Sequence, residues 1–395
     1  MRKKIAIVTH TFLPTIGGEQ IEINLLLEAL DKYSDSNKKY KFYFIAPNRE
    51  SSPFCQFKNI KVDYLDFKKI NKWSLLINSI KLAKILSKIK PDIVYTFSTI
   101  PGGLMLYAIN LMKKKYNYII SSHGSDLAIV KSINYGRRLN RIDNFISKMI
   151  VKKEIFHQVP SKAMIRFCKE INIPVNKIVV IPDAVPDKVE YIPDGATIEE
   201  IKKQYNLEKN DFIILSLSGF RKVKGMEYLI DGFIKACERN KNLKLLLASR
   251  EVGTPDELKK NIQQQGFEKN IKFVGLITGK KKEAFFKIAD VFCMPSLFES
   301  FGLALVEAMQ RGKLCIATDR GGMQEIIKNN INGLVIKAES SESIAEKIEF
   351  AYKNLDMHKK LQENAQKTAE KYKIKFIIPK FIQLYDKAIQ NTYHF

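Results

Sequence analysis

Cysteine is scarce in this sequence, and the few cysteines present do not form a recognisable site. The five are odd in number, widely separated and never in a CxxC pair: Cys55, Cys168, Cys237, Cys293 and Cys315. This usage argues against a disulfide framework or a zinc site, and it favours a reducing compartment. No metal site is therefore predicted.

Long apolar runs are missing as well. No stretch of about 18 apolar residues occurs, so no transmembrane helix is predicted. The N-terminus is basic, but its apolar part is too short for a signal peptide and fits a first β-strand over 5–8 better. Internal repeats and low-complexity segments are absent. With 45% hydrophobic and 27% charged residues, the composition is ordinary for a globular protein, and a cytoplasmic location is expected.

Acidic residues are outnumbered by basic ones. Against 66 Lys and Arg stand 42 Asp and Glu, a net charge of +24, and residues 1–190 account for +16 of it. One explanation is a general bias toward lysine in the proteins of the source organism. The other is attraction to an anionic surface, such as membrane lipid, an acidic glycan or nucleic acid. Both explanations stay open.

Short buried strands alternate with amphipathic helices along the chain. This alternation predicts an α/β protein with parallel, doubly wound sheets. The chain of 395 residues is long enough for two domains with separate cores. A polar segment with prolines, near 184–192, is the expected linker. The predicted domains are 1–187 and 188–375.

The stretch 291–336 contains the strongest chemical pattern. A predicted strand over 291–294 leads to a loop with Glu299, a turn at Gly302 and a helix over 303–311. Gly312 suits the left-handed position after that helix, and a second strand follows over 314–317. In open α/β folds such a loop lies at the carboxyl edge of the sheet, where ligands bind.

The spacing within this stretch suits a sugar nucleotide. The amides of Phe301, Gly302 and Leu303 lie at a helix N-terminus and can hold a phosphate. Glu299 lies ahead of that position and Glu307 one turn beyond it, and carboxylates accept hydrogen bonds from hydroxyls. The protein groups follow the order carboxylate, amides, carboxylate. This order matches the sugar, diphosphate and ribose of a sugar nucleotide. The alternative is a solvated helix with two ordinary surface glutamates.

Two loops of the N-terminal half are further candidates. Gly17 and Gly18 lie between the first strand and its helix, where glycine permits close approach of a ligand to the backbone. His123 follows a strand and precedes a glycine, so a carboxyl-edge loop is expected there. A structural histidine and an ordinary tight turn are the alternatives. Asp126 is either an acceptor contact or a helix cap.

A basic loop precedes a predicted helix in the C-terminal half. Arg221 and Lys224 lie just before the helix that starts near Met226. Together with helix-end amides they can bind a diphosphate. Basic residues beside a glycine are also common on surface loops.

The string Glu299-Ser-Phe-Gly-Leu-Ala-Leu-Val-Glu307 resembles the E-x7-E motif of retaining glycosyltransferases of family GT4. Gly321-Gly322, Glu325 and Asn332-Gly333 match the same pattern. The resemblance implies a GT-B fold, in which two Rossmann-like domains face a deep cleft. It also implies metal-independent, retaining transfer of an α-linked sugar. The donor is a nucleoside diphosphate sugar, most often of UDP or GDP, and no other cofactor is expected.

The resemblance also implies roles for the residues singled out above. The acceptor is a glycan or a lipid-linked molecule, the setting is cell-surface polysaccharide or glycolipid synthesis, and the enzyme can lie peripherally at the inner face of the membrane. Glu299 and His123 are implied to contact the transferred sugar, and Lys224 and Arg221 the diphosphate. Phe301, Gly302 and Leu303 are implied to contact the donor, Glu307 its ribose, and Gly275 its base through the backbone. Gly17 and Gly18 are implied to lie close to the donor phosphate and the acceptor.

Two details depart from the family pattern, and one further feature is expected from it. The family usually has a glycine-rich turn after the strand at 243–248, where this chain has residues 249–253 as Ser-Arg-Glu-Val-Gly. The interval between Arg221 and Lys224 is shorter than usual, and Lys222 is a substitute for Arg221. A last helix, about 376–395, is expected to return to the first domain.

The segment 136–153 is predicted to be a basic amphipathic helix. Leu139, Ile142, Phe145, Ile146 and Met149 recur at helical spacing, with Arg138, Arg141, Lys148 and Lys152 contributing charge. Burial of the apolar face in the domain core is the favoured explanation. Docking on anionic lipid is the alternative.

Two other functions compete with glycosyl transfer. A glycosidase could use Glu299 and Glu307 as acid and base, which leaves Arg221 and Lys224 unexplained. A basic nucleic-acid-binding protein is the non-enzyme alternative. The chain shows no zinc spacing, no RNP-like aromatic motif and no basic-region heptads, so no nucleic-acid partner is expected.

Overall fold

The chain forms two compact units in a computed structural model that describes residues 2–14, 17–36, 39–47, 56–65, 72–112, 115–249 and 256–391. The first unit is Met1–Val185 with Lys373–Phe395, and the second is Pro186–Tyr372. The boundaries predicted from the sequence, 187/188 and 375/376, lie close to these divisions.

A parallel sheet forms the centre of the first unit. Its order is β3-β2-β1-β4-β5-β6-β7. In β1 the side chains of Ile5 and Ile7 pack on one face, and those of Ala6 and Val8 pack on the other. Both faces are thus covered, which explains why residues 5–8 of β1 are apolar without alternation. The strands are β1 (Lys3–Val8), β2 (Tyr40–Pro47), β3 (Lys61–Leu65), β4 (Ile93–Phe97), β5 (Tyr118–Ser121), β6 (Phe156–Val159) and β7 (Ile178–Val180).

Helices cover both faces of this sheet. They are α1 (Gly18–Ser36), α2 (Lys72–Ile89), α3 (Leu104–Leu111), α4 (Arg141–Ile150), α5 (Ile165–Glu170) and, from the far end of the chain, α13 (Ile374–Asn391). Helices α1 and α13 cover one face, whereas α2, α3 and α4 cover the other. Tyr385 of α13 packs against Tyr40, Phe42 and Tyr95 of the sheet, so the terminal helix belongs to this unit. Among the described helices, none combines the length and apolar character needed to cross a bilayer.

The structure corrects three expectations for residues 136–153. The α-helix begins only at Arg141, after a short 3₁₀ turn at Arg137–Leu139. Arg138 was expected to contribute surface charge but is buried, and its guanidinium donates to the Leu127 and Phe167 carbonyls. The apolar face was expected to enter the core, and Ile146 does pack there, but Ile142 is 68% and Phe145 65% exposed.

The second unit repeats the architecture. Its parallel sheet has the order β10-β9-β8-β11-β12-β13. The strands are β8 (Phe212–Leu217), β9 (Leu243–Ala248), β10 (Ile271–Gly275), β11 (Val291–Met294), β12 (Leu314–Thr318) and β13 (Leu334–Ile336). The helices are α6 (Gly195–Tyr205), α7 (Met226–Arg239), α8 (Asp256–Gln264), α9 (Gly279–Ile288), α10 (Leu303–Gln310), α11 (Ser341–Lys353) and α12 (Leu355–Glu370).

Each sheet has one point at which the strand order reverses. In the first unit β1 lies between β2 and β4, and in the second β8 lies between β9 and β11. At such a point the loops leaving two neighbouring strands diverge, and open α/β folds bind ligands in the resulting crevice. In the second unit, the loops concerned follow β8 and β11.

Candidate functional site

The loops after β8 and β11 bring Lys224 and Glu299 into contact. The Lys224 ammonium lies 2.6 Å from the Glu299 Oε1 atom, and both side chains are mostly shielded from solvent. The Ser296 hydroxyl donates to the same carboxylate oxygen at 2.7 Å. Two residues 75 positions apart in the chain thus become a fixed ion pair at the carboxyl edge of the sheet, as the topology requires.

Close backbone packing holds the Glu299 loop in place. The Gly322 amide donates to the Glu299 carbonyl at 2.8 Å. A β-carbon at Gly321 would lie 2.0 Å from that carbonyl oxygen, and one at Gly225 would lie 2.4 Å from the Pro295 carbonyl oxygen. Both glycines have positive φ values, +62° and +63°, which side chains disfavour. Glycine is thus required where the neighbouring segments touch the loop.

Helix α10 begins beside this ion pair. Gly302 caps it in the left-handed region, with φ +112°, and no side chain bonds to the cap. Within the described residues, the amides of Phe301, Gly302 and Leu303 donate no hydrogen bond to a protein acceptor. Unpaired amides at a helix N-terminus are suited to an anion. The predicted helix and its end are also seen, with Gly312 at φ +66° after it.

Glu307 lies one turn further along α10 and is also paired. The Lys282 ammonium of α9 lies 2.7 Å from its Oε1 atom, and Glu307 is 9% exposed overall. The ion pair with Lys282 holds the Glu307 carboxylate in one orientation. The structure therefore places Glu299 and Glu307 on either side of the free amides, each beside a different cation.

Arg221 and Gly275, the remaining predicted donor contacts of the second unit, form no comparable side-chain ion pair within the described part of the chain. Arg221 and Lys222 are exposed, while the Lys224 amide donates to the Arg221 carbonyl at 2.7 Å. Gly275 ends β10 with φ +72° and open space where a β-carbon would lie. Of the turn at 249–253, residues 250–253 lie outside the described residues. The roles of Arg221 and Gly275 stay predictions.

In the first unit, His123 lies in a buried charged cluster. Its Nδ1 atom is 2.8 Å from Glu22 Oε2 and 3.3 Å from Asp183 Oδ1. Its Nε2 atom is 2.6 Å from the Ser121 hydroxyl, which in turn donates to Gln158. Because Ser121 donates onward, it accepts from Nε2, and both ring nitrogens are then held by protein groups. The predicted role of His123 at the sugar stays a prediction.

The ionisation of this cluster follows from its burial and its two carboxylates. Burial acts to lower the pKa of His123, but Glu22 and Asp183 outweigh it and raise that pKa well above 6.5. Burial, reinforced by Asp183, raises the pKa of Glu22 above its ordinary 4.5. Burial likewise raises the pKa of neighbouring Glu19 to about 7. At neutral pH His123 is therefore an imidazolium, and the Glu22 carboxyl group keeps its proton.

The same cluster offers a donor set that could be considered for a metal ion. One atom each of Glu22, His123 and Asp183 lie within 4.8 Å of one another, which is the one such grouping among the described residues. In this structure the His123 Nδ1 atom lies at ion-pair distance from both carboxyl groups, 2.8 Å from Glu22 and 3.3 Å from Asp183.

Glu22→Gln is expected to flatten the pH dependence of the first unit's stability. The folded Glu22 carboxyl keeps its proton above pH 4.5, so the free energy of unfolding falls with rising pH, by up to about 1.4 kcal/mol per pH unit, until the raised pKa is passed. The stabilisation from protonated His123 is complete below pH 6.5 and is lost as pH rises through its raised pKa. The Glu22→Gln substitution removes the pH-dependent contribution of the Glu22 carboxyl group and weakens that of His123.

Urea unfolding between roughly pH 6 and pH 8 measures this difference. Glu28→Gln on the exposed side of α1 is the matched control, and it should retain the wild-type slope. Parallel stability curves for Glu22→Gln and wild type would contradict the assigned ionisation.

The loop between β1 and α1 is only partly described, since residues 15 and 16 lie outside the described ranges. Gly18 begins α1, with open space where a β-carbon would lie. The Ile21 amide donates to the Gly17 carbonyl at 3.0 Å. Both glycines thus lie at a helix start, as predicted, and their contact with donor and acceptor stays a prediction.

Asp126 connects two loops through hydrogen bonds. These contacts explain an aspartate at this position better than capping of a following helix does. Its carboxylate accepts from the Thr99 amide at 3.0 Å and from the Ser122 hydroxyl at 2.6 Å. Ser122 also contacts buried His157, which is paired with Glu154. This buried chain of polar groups fixes the loop that carries His123.

Sequence reasoning missed the partners of the predicted residues. Lys282, Glu22 and Asp183 contact Glu307 and His123 only through the tertiary fold. A signal was nevertheless present for Glu22, because it lies four residues before Leu26 on the buried side of α1. An acidic residue on such a stripe requires a buried partner.

Two family models match most of the chain. Residues 197–368 match the glycosyl transferases group 1 model, and residues 37–149 match the glycosyl transferase 4-like model. The chain belongs to the GT4-type group 1 glycosyltransferases. The family inferred from the E-x7-E motif is confirmed.

Two curated relatives align with 90% or more of this glycosyltransferase. It is 24% identical to the N-acetyl-alpha-D-glucosaminyl L-malate synthase of Bacillus anthracis, over 99% of this chain and 98% of that protein. It is 22% identical to the N,N'-diacetylbacillosaminyl-diphospho-undecaprenol alpha-1,3-N-acetylgalactosaminyltransferase of Campylobacter jejuni, over 90% and 93%.

Solved structures share the fold of this glycosyltransferase. A glycosyltransferase from Rickettsia africae superposes with a TM-score of 0.79 at 21% identity, covering 99% of both chains. Anabaena Alr3699/HepE in complex with UDP-glucose gives 0.77 at 17% identity, covering 97% of this chain and 99% of that one. The predicted fold class, two Rossmann-like parallel-sheet domains of the GT-B type, is confirmed.

Proposed function

We propose that this glycosyltransferase transfers a sugar from a nucleoside diphosphate sugar to a glycan or lipid-linked acceptor, with retention and an α-linked product. The observation that carries the proposal is the Lys224–Glu299 pair at 2.6 Å beside the unpaired amides at the start of α10. A cation, a carboxylate and free amides at one sheet edge match diphosphate and sugar hydroxyls. The UDP-glucose complex of Alr3699/HepE supports a UDP-sugar as the first donor to test.

The residues of the second unit take distinct roles in this proposal. Lys224, with Arg221, neutralises the leaving diphosphate, and the amides of Phe301, Gly302 and Leu303 hold a phosphate. Glu299 accepts hydrogen bonds from sugar hydroxyls. Glu307, oriented by Lys282, holds ribose, while Gly275 borders the base. His123, Gly17 and Gly18 are assigned to the sugar and acceptor by family resemblance.

The proposed chemistry needs no metal ion or additional cofactor. The acceptor hydroxyl oxygen bonds to the anomeric carbon on the face from which the diphosphate oxygen departs. The hydroxyl proton passes to the leaving phosphate, and Lys224 stabilises the charge that develops there. A double displacement would need a free carboxylate nucleophile. The Glu299 carboxylate is instead held by Lys224 and Ser296, which favours the same-face route.

The acceptor class and setting follow from the family and from charge. The Campylobacter jejuni relative is named for a diphospho-undecaprenol acceptor, and residues 1–190 of this chain carry much of the positive charge. Both support an acceptor linked to lipid or to an acidic glycan. We therefore place the reaction in cell-surface polysaccharide or glycolipid synthesis, at the cytoplasmic face of the membrane.

A panel of nucleotide sugars tests this function. A cognate donor at about 100 times its dissociation constant raises the free energy of unfolding by about 2.7 kcal/mol, which a thermal shift assay detects. Adding acceptor should then release one nucleoside diphosphate per sugar transferred. Release of free sugar without nucleotide would favour the glycosidase alternative. Salt-sensitive nucleic-acid binding without donor turnover would favour the nucleic-acid alternative.

Glu307→Gln is expected to raise KM for the donor about tenfold while kcat changes little. Loss of a charged hydrogen bond to ribose weakens ground state and transition state alike. Steady-state kinetics with varied donor measure the effect. Glu342→Gln, which removes a 68% exposed partner of Lys235, is the control. A fall in kcat with unchanged KM would contradict a ribose role.

A further inference from the structure

Helix α2 presents a row of apolar side chains to solvent. Trp73 is 75% exposed, Leu76 44%, Ile77 51% and Ile80 44%. Their spacing of i, i+3, i+4 and i+7 places them on one face of the helix. The opposite face enters the core through Leu82 and Leu86. The exposed apolar row thus lies in the first half of α2, on the side away from the core, where core packing does not require it.

Helices α3 and α4, on the same face of the first sheet, also carry exposed apolar side chains. Together with α2, they pack their inner sides into the same core cluster on one face of the first sheet. At the end of α3, Leu111 is 67% and Met112 50% exposed, and on α4 Ile142 is 68% and Phe145 65% exposed. Half of the large, exposed apolar side chains among the described residues belong to these three neighbouring segments. Clustered exposure of this kind marks an interaction surface.

The charge around this surface identifies its partner. Along the second half of α2, Lys81, Lys84 and Lys88 are exposed, and neither α2 nor α3 contains an acidic residue. On α4, Arg141 is exposed, and Asp143 is paired with Arg137 at 2.9 Å. A second copy of this chain would bring the same cations together and be repelled. An apolar surface bordered by cations complements anionic phospholipid, whose acyl chains and headgroups match both properties.

We propose that the exposed faces of α2, α3 and α4 form a docking surface for an anionic phospholipid bilayer. Trp73, Leu76, Ile77, Ile142 and Phe145 enter the interface, while Lys81, Lys84, Lys88 and Arg141 contact headgroups. Docking itself does not depend on the proposed function. Only the purpose of docking, which is to hold the enzyme beside a lipid-linked acceptor, rests on that function. The docking surface uses the part of the apolar side of α4 that is exposed, at Ile142 and Phe145, and it adds α2 and α3.

The single tryptophan of the chain, Trp73, reports this docking directly. The full-length protein is mixed with vesicles of phosphatidylglycerol and phosphatidylcholine, or of phosphatidylcholine alone. Docking predicts a blue shift of Trp73 emission, and quenching by brominated acyl chains, with the anionic vesicles. Unchanged emission with both kinds of vesicle would overturn the proposal.

Flotation with the same vesicles tests the two components separately. Each lysine near an anionic surface contributes roughly fivefold to partitioning, so Lys81→Gln with Lys84→Gln should lower vesicle binding about 25-fold. Ile77→Ser with Phe145→Ser should remove binding. The matched controls lie on the second unit: Lys359→Gln with Lys360→Gln, and Ile192→Ser with Leu355→Ser, all at exposed positions. Equal losses in the controls would overturn the assignment to this surface.

Two further measurements keep docking separate from catalysis and folding. The surface variants should retain the wild-type melting temperature and release nucleoside diphosphate at the wild-type rate with a soluble acceptor. Failure of donor turnover in wild type, with intact vesicle binding, would contradict the proposed function alone.

Sedimentation velocity without lipid tests self-association. If the wild type forms a dimer that the Ile77→Ser, Phe145→Ser variant does not form, the partner of this surface is a second copy of the chain and not a bilayer.

Discussion

Lys224→Ala lowers kcat/KM for sugar transfer by about 100- to 1,000-fold. A cation placed at the leaving diphosphate acts where charge develops, and removing one such contact typically costs this much. The substitution also leaves the Glu299 carboxylate without the ammonium that now lies 2.6 Å away. A coupled assay of nucleoside diphosphate release measures the rate.

The control for this prediction is Lys235→Ala. It breaks another lysine–glutamate contact of the same unit, Lys235–Glu342, whose side chains are 44% and 68% exposed. Exposed pairs contribute little, so this variant should transfer sugar at the wild-type rate. Near-wild-type turnover by Lys224→Ala would remove this residue from the site.

Glu299→Ala extends the test to the other partner. Because Lys224 and Glu299 act on the same donor and contact each other, their effects should not add. The double variant is expected to lose little more activity than the worse single variant. Additive losses would mean that the two side chains serve separate functions.

Gly321→Ala is expected to cost the second unit about 3 kcal/mol of stability. The new β-carbon would lie 2.0 Å from the Glu299 carbonyl oxygen, and the φ value of +62° disfavours any side chain. For a unit of this size the melting temperature should fall by roughly 6–12 °C. Activity should fall further, because the Glu299 loop must move to make room.

Gly195→Ala is the matched glycine control. Gly195 begins α6, and no atom lies within 4 Å of where its β-carbon would be. Alanine favours the helix there, so stability should be equal or slightly higher. Differential scanning calorimetry compares the two variants. A melting temperature for Gly321→Ala within a degree or so of wild type would contradict the packing described for this loop.

The local part of the fold was predictable because its signals lie within short segments. The strand β11, the start of α10 at Leu303 and its end before Gly312 follow from an apolar run and two glycines. The donor-side loops follow from the same reasoning, since a parallel sheet places Lys224 and Glu299 at one edge. These features depend on sequence neighbours and general topology alone.

The partners of the key residues could not be predicted in the same way. Lys282 reaches Glu307 from another helix, and Glu22 and Asp183 reach His123 from segments far apart in the chain. Such pairs depend on register and helix rotation, which sequence periodicity does not specify.

The amphipathic pattern around Phe145 shows a related limit. Periodicity shows that one side of a helix is apolar, but not whether that side enters a core. In α4, Ile146 and Ile150 pack into the core, whereas Ile142 and Phe145 are exposed. The expected burial therefore holds for only part of the apolar side.

The most direct test of the account is the anomeric configuration of the product. The donor selected from the panel, an α-linked nucleotide sugar, is incubated with acceptor, and proton NMR follows the new linkage while nucleoside diphosphate is measured in parallel. The account predicts an α-linked product and one nucleoside diphosphate for each linkage formed. A β-linked product, or a linkage formed without nucleoside diphosphate release, would contradict it.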